Sequence, residues 1–383
     1  MTPSGFYAGY ESELAHLLGV EHAIVFAYSR HALTSLLIAS GAGSGGEVLL
    51  SPLTCKVVPL ALMAIGLRPV YADISERTLN LDAAAARAAI RSDTRAVLFQ
   101  HTYGQASGLN GVVELASERG LPILEDCAQC LPLASLGRLS HRGAAAFFSN
   151  NLRKPLPAGS GGVATTADPD LARRVREIRD SLRLRPWHQE LALRAEVWVH
   201  GHVLRPSLYW PLYELNRKLR SLHVDRPVDD EISTEITGRA FRPSPFQQRV
   251  GSAWLKELDG LARYRMACCA HYSAALRDLT GVALPCLDAT EPLYYFPVLV
   301  RNKRALLNLA RRRLIELIAW PLGTPIYPVE EEAALVRYGY RPGQCPVAEA
   351  VASRLVGLPT DASAGTSERN EVIALLREHD ASA

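Results

Sequence analysis

Six short runs rich in β-branched and aromatic residues alternate with helical patterns between residue 19 and about residue 170, and this rhythm narrows the fold more than any other feature. The runs are His22–Phe26, Glu47–Ser51, Arg68–Ala72, Ala96–Gln100, Leu121–Leu124 and Ala144–Phe148. Most are followed by turn or polar residues and then by a periodic segment. Such an order describes βαβ units and a largely parallel sheet, an α/β fold. Ligands of these sheets bind at the carboxyl ends of the strands, so the polar residues directly after each run carry the chemistry.

At 383 residues the chain suits two domains. Residues 171–235 break the rhythm: a basic helix at Leu171–Leu184 is followed by Trp187, Trp198, Tyr209, Trp210 and Tyr213 among Leu and Arg. This stretch reads as a helical excursion packed on the sheet or on a partner subunit. Its aromatic and basic mixture at 198–220 leaves open a contact with a membrane surface or a lipid-linked substrate. From about residue 245 a helical stretch (Gln247–Leu279), a strand-like LYYFPVLV, the helix Lys303–Leu314 and a last helix at Glu368–Glu378 form a second α/β domain. The boundary falls between a large unit, 1–240, and a smaller C-terminal unit, 241–383.

The net charge of +3 is spread without a dense basic block, which argues against a nucleic-acid partner. The N-terminus shows no charged region leading into an apolar run, and stretches such as Val57–Ile65 are too short to span a bilayer. Seven cysteines at irregular spacing favour reduced thiols and a cytoplasmic location. Cys127 and Cys130 form a lone CxxC with no second pair or nearby His pair, so no metal is expected.

Three strand ends carry a consistent set of groups. After the first run, Tyr28-Ser29-Arg30-His31 opens an apolar helix, whose free amides and positive dipole end suit a phosphate; the plainer reading makes Ser29 an N-cap. After LPIL come Glu125, Asp126, Cys127, Ala128 and Gln129, acids that suit a metal, a ribose, a cationic ring or a helix cap. After Ala144–Phe148, Ser149 precedes Lys154 by five residues, and the glycine-rich loop Gly159-Ser160-Gly161-Gly162 follows. A lysine between a buried strand and such a loop is a candidate for covalent catalysis. Pyridoxal phosphate needs these three parts together: a lysine for a Schiff base, an acid to keep its pyridine nitrogen protonated, and an anion cradle. Lys154 would then also serve as the general base for the 1,3-proton shift.

With EDCAQ, the S-x-x-x-x-K spacing and GSGG in this order, the chain resembles the DegT/DnrJ/StrS family of sugar aminotransferases, of pyridoxal-phosphate fold type I. Further family-like pieces are GGEVLLSPLTC, AIGLRPVYADI, HTYGQASGLNGVVELASERGLPILEDCAQ and CPVAEAVASRLVGLP. The resemblance implies a large domain with a mostly parallel seven-stranded sheet flanked by helices, a smaller C-terminal α/β domain, and a homodimer with its active site at the interface. It makes Lys154 the Schiff-base lysine and Asp126 the partner of the pyridine nitrogen. Gln129 is implied at the cofactor's phenolic oxygen and Ser149 at its phosphate, with the amides of Arg30 and His31 facing that phosphate. Tyr28-Ser29-Arg30 replaces the family's Ser-Gly-Thr turn, Cys55 replaces an aromatic that stacks on the ring, and Ala240-Phe241-Arg242 replaces Asn-Tyr-Arg.

His101 ends a strand and would either line the pocket or bond a backbone carbonyl. Arg242 and Arg153 are candidate forks for a donor carboxylate or a nucleotide diphosphate. The expected reaction moves an amino group from glutamate or glutamine to a nucleotide-linked keto sugar, in surface-polysaccharide or secondary-metabolite synthesis. The alternatives are a keto-cyclitol acceptor or other pyridoxal-phosphate chemistry on a sugar, and a non-catalytic or regulatory member of the family.

Overall fold

In a computed structural model, the structure describes residues 3–43, 45–131, 145–152, 154–155, 161–202, 228–286, 291–361 and 365–381. Its first part contains strands β1 (His22–Phe26), β2 (Glu47–Leu50), β3 (Thr54–Cys55), β4 (Arg68–Tyr71), β5 (Thr94–Gln100), β6 (Ile123–Asp126), β7 (Ala145–Ser149) and β8 (Gly162–Thr166). All except β3 join one seven-stranded sheet in the order β1-β8-β7-β6-β5-β2-β4. Pairings from β4 through β7 are parallel, and β8 is antiparallel to both of its neighbours. The mostly parallel α/β sheet expected from the sequence is therefore present. The reading above contained no β8, because Val-Ala-Thr-Thr after a glycine loop is too short to show a period.

Helices cover both faces, which is why the inner strands are buried along their whole length. On one face α2 (Ser29–Ala39), α3 (Val57–Ala64) and α6 (Pro169–Ser181) pack with Leu50, Leu98, Leu124 and Phe147. On the other, α4 (Ala83–Ala89) and α5 (Leu109–Glu118) cover Val97, Phe99 and Ile123, while α1 (Pro3–Leu18) covers Val25 and Phe148. Local sequence sets several helix starts. Asp82 accepts from the amides of Ala84 and Ala85 at 3.0 and 2.9 Å, and Asp168, followed by Pro169, accepts from Asp170 and Leu171.

The basic helix expected at Leu171–Leu184 runs from Pro169 to Ser181, and α7 (Trp187–His202) follows it. Tyr209, Trp210 and Tyr213 lie outside the described residues. The helical stretch after residue 245 is two helices, α8 (Pro245–Leu255) and α9 (Leu258–Leu276). The start of α8 is a capping box made by Ser244 and Gln247.

A three-stranded antiparallel sheet, β12-β10-β9, is built from β9 (Val282–Ala283), β10 (Tyr295–Val300) and β12 (Leu355–Pro359). It packs with α9, α10 (Lys303–Arg312) and α12 (Thr366–Ala381) around Tyr272, Phe296 and Leu376. Between them, β11 (Ile326–Tyr327) pairs in parallel with β3, and α11 (Pro346–Arg354) buries Ala348, Val351 and Ala352 in the core of the large sheet. The C-terminal third thus folds back onto the first.

Candidate active site

The register of the sheet assembles the site. Two successive antiparallel pairings return β1 to the direction of β7, so the carboxyl ends of β1, β5, β6 and β7 share one edge. Phe26, Gly162 and Ser149 form one row across β1, β8 and β7, and Phe147, Asp126 and Gln100 form another across β7, β6 and β5. A β-carbon on Gly162 would stand 2.4 Å from Ser29 Cα, so only glycine lets the start of α2 reach this edge. The N-cap is Tyr28, which gives no side-chain cap, and Ser29 is the first helical residue rather than the cap. Uncapped amides and the positive end of the helix dipole therefore stand beside Ser149, an arrangement that suits a phosphate.

Asp126 is almost wholly buried at the end of β6 and accepts from the Ala128 amide at 2.9 Å. Burial pushes its pKa up, while that amide, the Lys154 ammonium and His101 pull it back down. Lys154 follows β7, its amide donating to the Asn151 carbonyl at 2.9 Å. Its Nζ stands 6.0 Å from the centre of the Tyr294 ring. Gln129 is oriented by the Tyr103 amide, which donates to its Oε1 at 2.7 Å and leaves its Nε2 as the donor end of the side chain.

Tyr103 itself has φ 56°, a left-handed backbone that is strained for a bulky residue. Three bonds hold it there: the amide to Gln129, the hydroxyl to the Trp320 carbonyl at 2.5 Å, and its carbonyl accepting from the Tyr294 amide at 2.8 Å. These bonds bring Tyr294, from the segment leading into β10, to Lys154. The sequence reading missed Tyr103 and Tyr294, and it named Glu125 only as one of the acids at the strand end, without its partner His101. The Tyr294-Tyr295 pair heading a strand-like run was visible, but its docking on Tyr103 is a tertiary fact.

The other sequence candidates are placed as follows. The Arg30 guanidinium bonds Glu235, through both its backbone carbonyl and its carboxylate, and lies over the Tyr28 ring. The His31 Nε2 donates to the Ile236 carbonyl at 3.0 Å and its amide to the Tyr28 carbonyl at 3.1 Å. Both side chains thus anchor residues 235–236 across the start of α2. Cys55 is half-buried in β3, in register with Tyr327. Arg242 spends its Nε on the Leu182 carbonyl at 2.6 Å. His101 is fully buried, with Nε2 2.9 Å from Glu125 Oε2, so among the described residues its ring meets a carboxylate and not a backbone carbonyl. Cys127 lies against this pair, one ligand-type atom of each of the three residues falling within 4.8 Å of the others. Arg153, Gly159 and Ser160 lie outside the described residues.

The donor set fits pyridoxal phosphate: a buried carboxylate for a cationic ring nitrogen, a lysine following the neighbouring strand for a Schiff base, an oriented amide donor, and an uncapped helix start beside a serine. Comparison with known proteins agrees. Residues 5–195 and 211–377 match the profile of the DegT/DnrJ/EryC1/StrS aminotransferase family. A dTDP-3-amino-3,4,6-trideoxy-alpha-D-glucose transaminase of Micromonospora megalomicea is 30% identical over 375 residues, 96% of this chain and 88% of that protein. An L-glutamine:2-deoxy-scyllo-inosose aminotransferase of Streptoalloteichus tenebrarius is 35% identical over 305 residues, 76% of this chain and 69% of the relative. Among solved structures, S. venezuelae DesV in complex with a ketimine intermediate superposes with a TM-score of 0.76 at 27% identity, covering 98% of this chain and 89% of its own. The chain belongs to the DegT/DnrJ/EryC1/StrS aminotransferase family and is a pyridoxal-phosphate-dependent aminotransferase.

Proposed function

We propose that this enzyme moves an amino group from glutamine or glutamate to a nucleotide-linked keto sugar, in the synthesis of a surface polysaccharide or secondary metabolite. The observation that carries this reading is the convergence of Asp126, Gln129, Ser149 and Lys154 with the start of α2 on one sheet edge. The dTDP-sugar transaminase, which this chain matches over nearly its whole length, supports the sugar acceptor. When bound, pyridoxal phosphate supplies an electron sink that makes a Cα–H bond acidic. Lys154 takes and returns the proton at the substrate's reacting carbon. Asp126 keeps a proton on the ring nitrogen, Gln129 donates to the phenolic oxygen, and Ser149 with the α2 amides holds the phosphate. The cyclitol acceptor is the second reading, favoured by the 35% identity to the scyllo-inosose enzyme.

Residues 1–240 are proposed as the cofactor-bearing unit, 241–383 as the smaller one, and the cytoplasm as the location. Among the described residues no helix is long and apolar enough to cross a membrane. A homodimer is supported by α7, where Trp187, Leu191 and Trp198 recur at helical spacing and are 75%, 55% and 58% exposed.

Two experiments test the reaction. Adding glutamine or glutamate to the purified yellow enzyme should bleach it, and a keto sugar should restore the colour. Lys154→Ala should abolish both changes. An enzyme whose spectrum responds to no amino donor would overturn the assignment.

A further inference from the structure

Glu125 and Asp126 are consecutive carboxylates at the end of β6, 1% and 3% exposed, and successive positions on a strand face opposite sides of the sheet. Burial by itself favours the protonated form of Asp126. His101, just beyond the Gln100–Asp126 register pair, counters that. Its Nε2 lies 2.9 Å from Glu125 Oε2, its amide donates to the Asp126 carbonyl at 3.1 Å, and its ring stands edge-on against Phe99. Burial alone would lower the imidazole, but the Cys130 sulfur and the Glu125 and Glu291 carboxylates carry it up to about 9. The titratable groups facing it are thus Glu125, Cys130 and Glu291, together with Asp126 and the neighbouring Cys127.

Stability is a poor reason for this pair. A buried ion pair is often no better than apolar residues of the same shape. Here, in addition, the His101 Nδ1 has no hydrogen-bond partner among the described residues. A charge kept in so unfavourable a place points to a use for the charge. Lys154 also attracts Asp126, but a lysine that must act as a base cannot remain a fixed cation. His101, fully buried, can.

We propose that Glu125 and His101 form a positioning pair behind Asp126: Glu125 keeps His101 charged, and the His101 cation keeps Asp126 ionised despite its burial. Asp126 can then hold the proton on the cofactor's ring nitrogen. The inference rests on the assignment of Asp126 to that nitrogen, and the experiment separates the two. Pyridoxal phosphate labelled with 15N in the ring is bound to the full-length enzyme and to the His101→Gln, Glu125→Gln, double and Asp126→Asn variants. The nitrogen chemical shift and the cofactor dissociation constant are the readouts.

Each single variant of the pair should move the resonance toward that of unprotonated pyridine and weaken cofactor binding about tenfold. The double variant should be no worse than either single, because the two residues act as one unit. A purely structural pair would instead lower the melting temperature additively and leave the nitrogen shift unchanged, which overturns the proposal. Should His101→Gln fail to fold, Glu125→Gln, which keeps the shape of glutamate, decides the matter, and Glu125→Asp should restore the shift in part. If Asp126→Asn moves the resonance and the pair variants do not, only this inference falls. If Asp126→Asn leaves it in place, the assignment of Asp126 falls as well.

Discussion

Gly162 and Ser29 stand so close that a β-carbon on Gly162 would lie 2.5 Å from the Ser29 amide nitrogen. Gly162 is also the register partner of both Ser149 and Phe26, so one glycine ties the phosphate side of the site to two strands. Gly162→Ala forces backbone against backbone, and the start of α2 must retreat from the sheet edge. Cofactor affinity should fall at least about tenfold, by an amount equal to roughly 1.4 kcal/mol of lost binding. Titrating apoenzyme with pyridoxal phosphate and following fluorescence quenching measures this. An unchanged affinity would show that the helix start does not hold the phosphate.

His31 gives the fold an acid limit. Burial first, with the Arg30 cation adding to it and the Ile236 carbonyl opposing it, lowers the imidazole to about 4 from an ordinary 6.5. Its folded pKa lies below the unfolded one, so its contribution to stability is whole above pH 6.5 and drains as the pH falls toward 4. The loss amounts to about 3 kcal/mol at most. Urea unfolding of the wild type and His31→Gln at a series of pH values should show the difference between them shrinking across this window. A constant difference would contradict a buried neutral His31.

Tyr294 sets one wall beside Lys154, its ring centre 6.0 Å from Nζ. Tyr294→Ala should lower kcat/KM roughly tenfold, the scale of a lost cation–π and packing contact of about 1–2 kcal/mol. Tyr294→Phe keeps the ring and should stay within about threefold. Steady-state kinetics with saturating amino donor distinguishes them, and equal losses in both variants would shift the role from the ring to the hydroxyl.

The exposed stripe on α7 makes a prediction about assembly. Replacing Trp187 and Trp198 together with Asp puts two charges on the apolar face, and charged groups are depleted at the cores of such interfaces. Sedimentation equilibrium should find the wild type dimeric and this variant monomeric at micromolar concentration, with the circular dichroism of the fold retained. A wild type that sediments as a monomer would remove the homodimer from the proposed function.

Much of the fold is legible in the sequence because each strand announces itself locally. His22–Phe26 is β1 residue for residue, and the other five runs are shifted by no more than two residues at either end. Helix caps such as Asp82 and Ser244 act within three residues of themselves. The strand β8 was not visible, since β1 and β7 pair with it and helices cover both of its faces, which leaves it buried throughout with no period of its own. For the same reason the side-chain partners of Arg30, His31 and Arg242 could not be read. Each bonds a backbone carbonyl of a residue far away in the chain, and Arg30 the Glu235 carboxylate as well.

The sequence by itself determined the parts of the site that lie in short, ordered words: EDCAQ, the serine and lysine five residues apart, and the glycines after them. Those words also place the chain in its family, since their order survives wherever the strand ends converge. Only the tertiary structure decided what surrounds them. Tyr294 reaches Lys154 through the strained Tyr103, and His101 meets Glu125 across two strands, because hydrogen bonds and burial depend on distance in space and sequence spacing does not encode it.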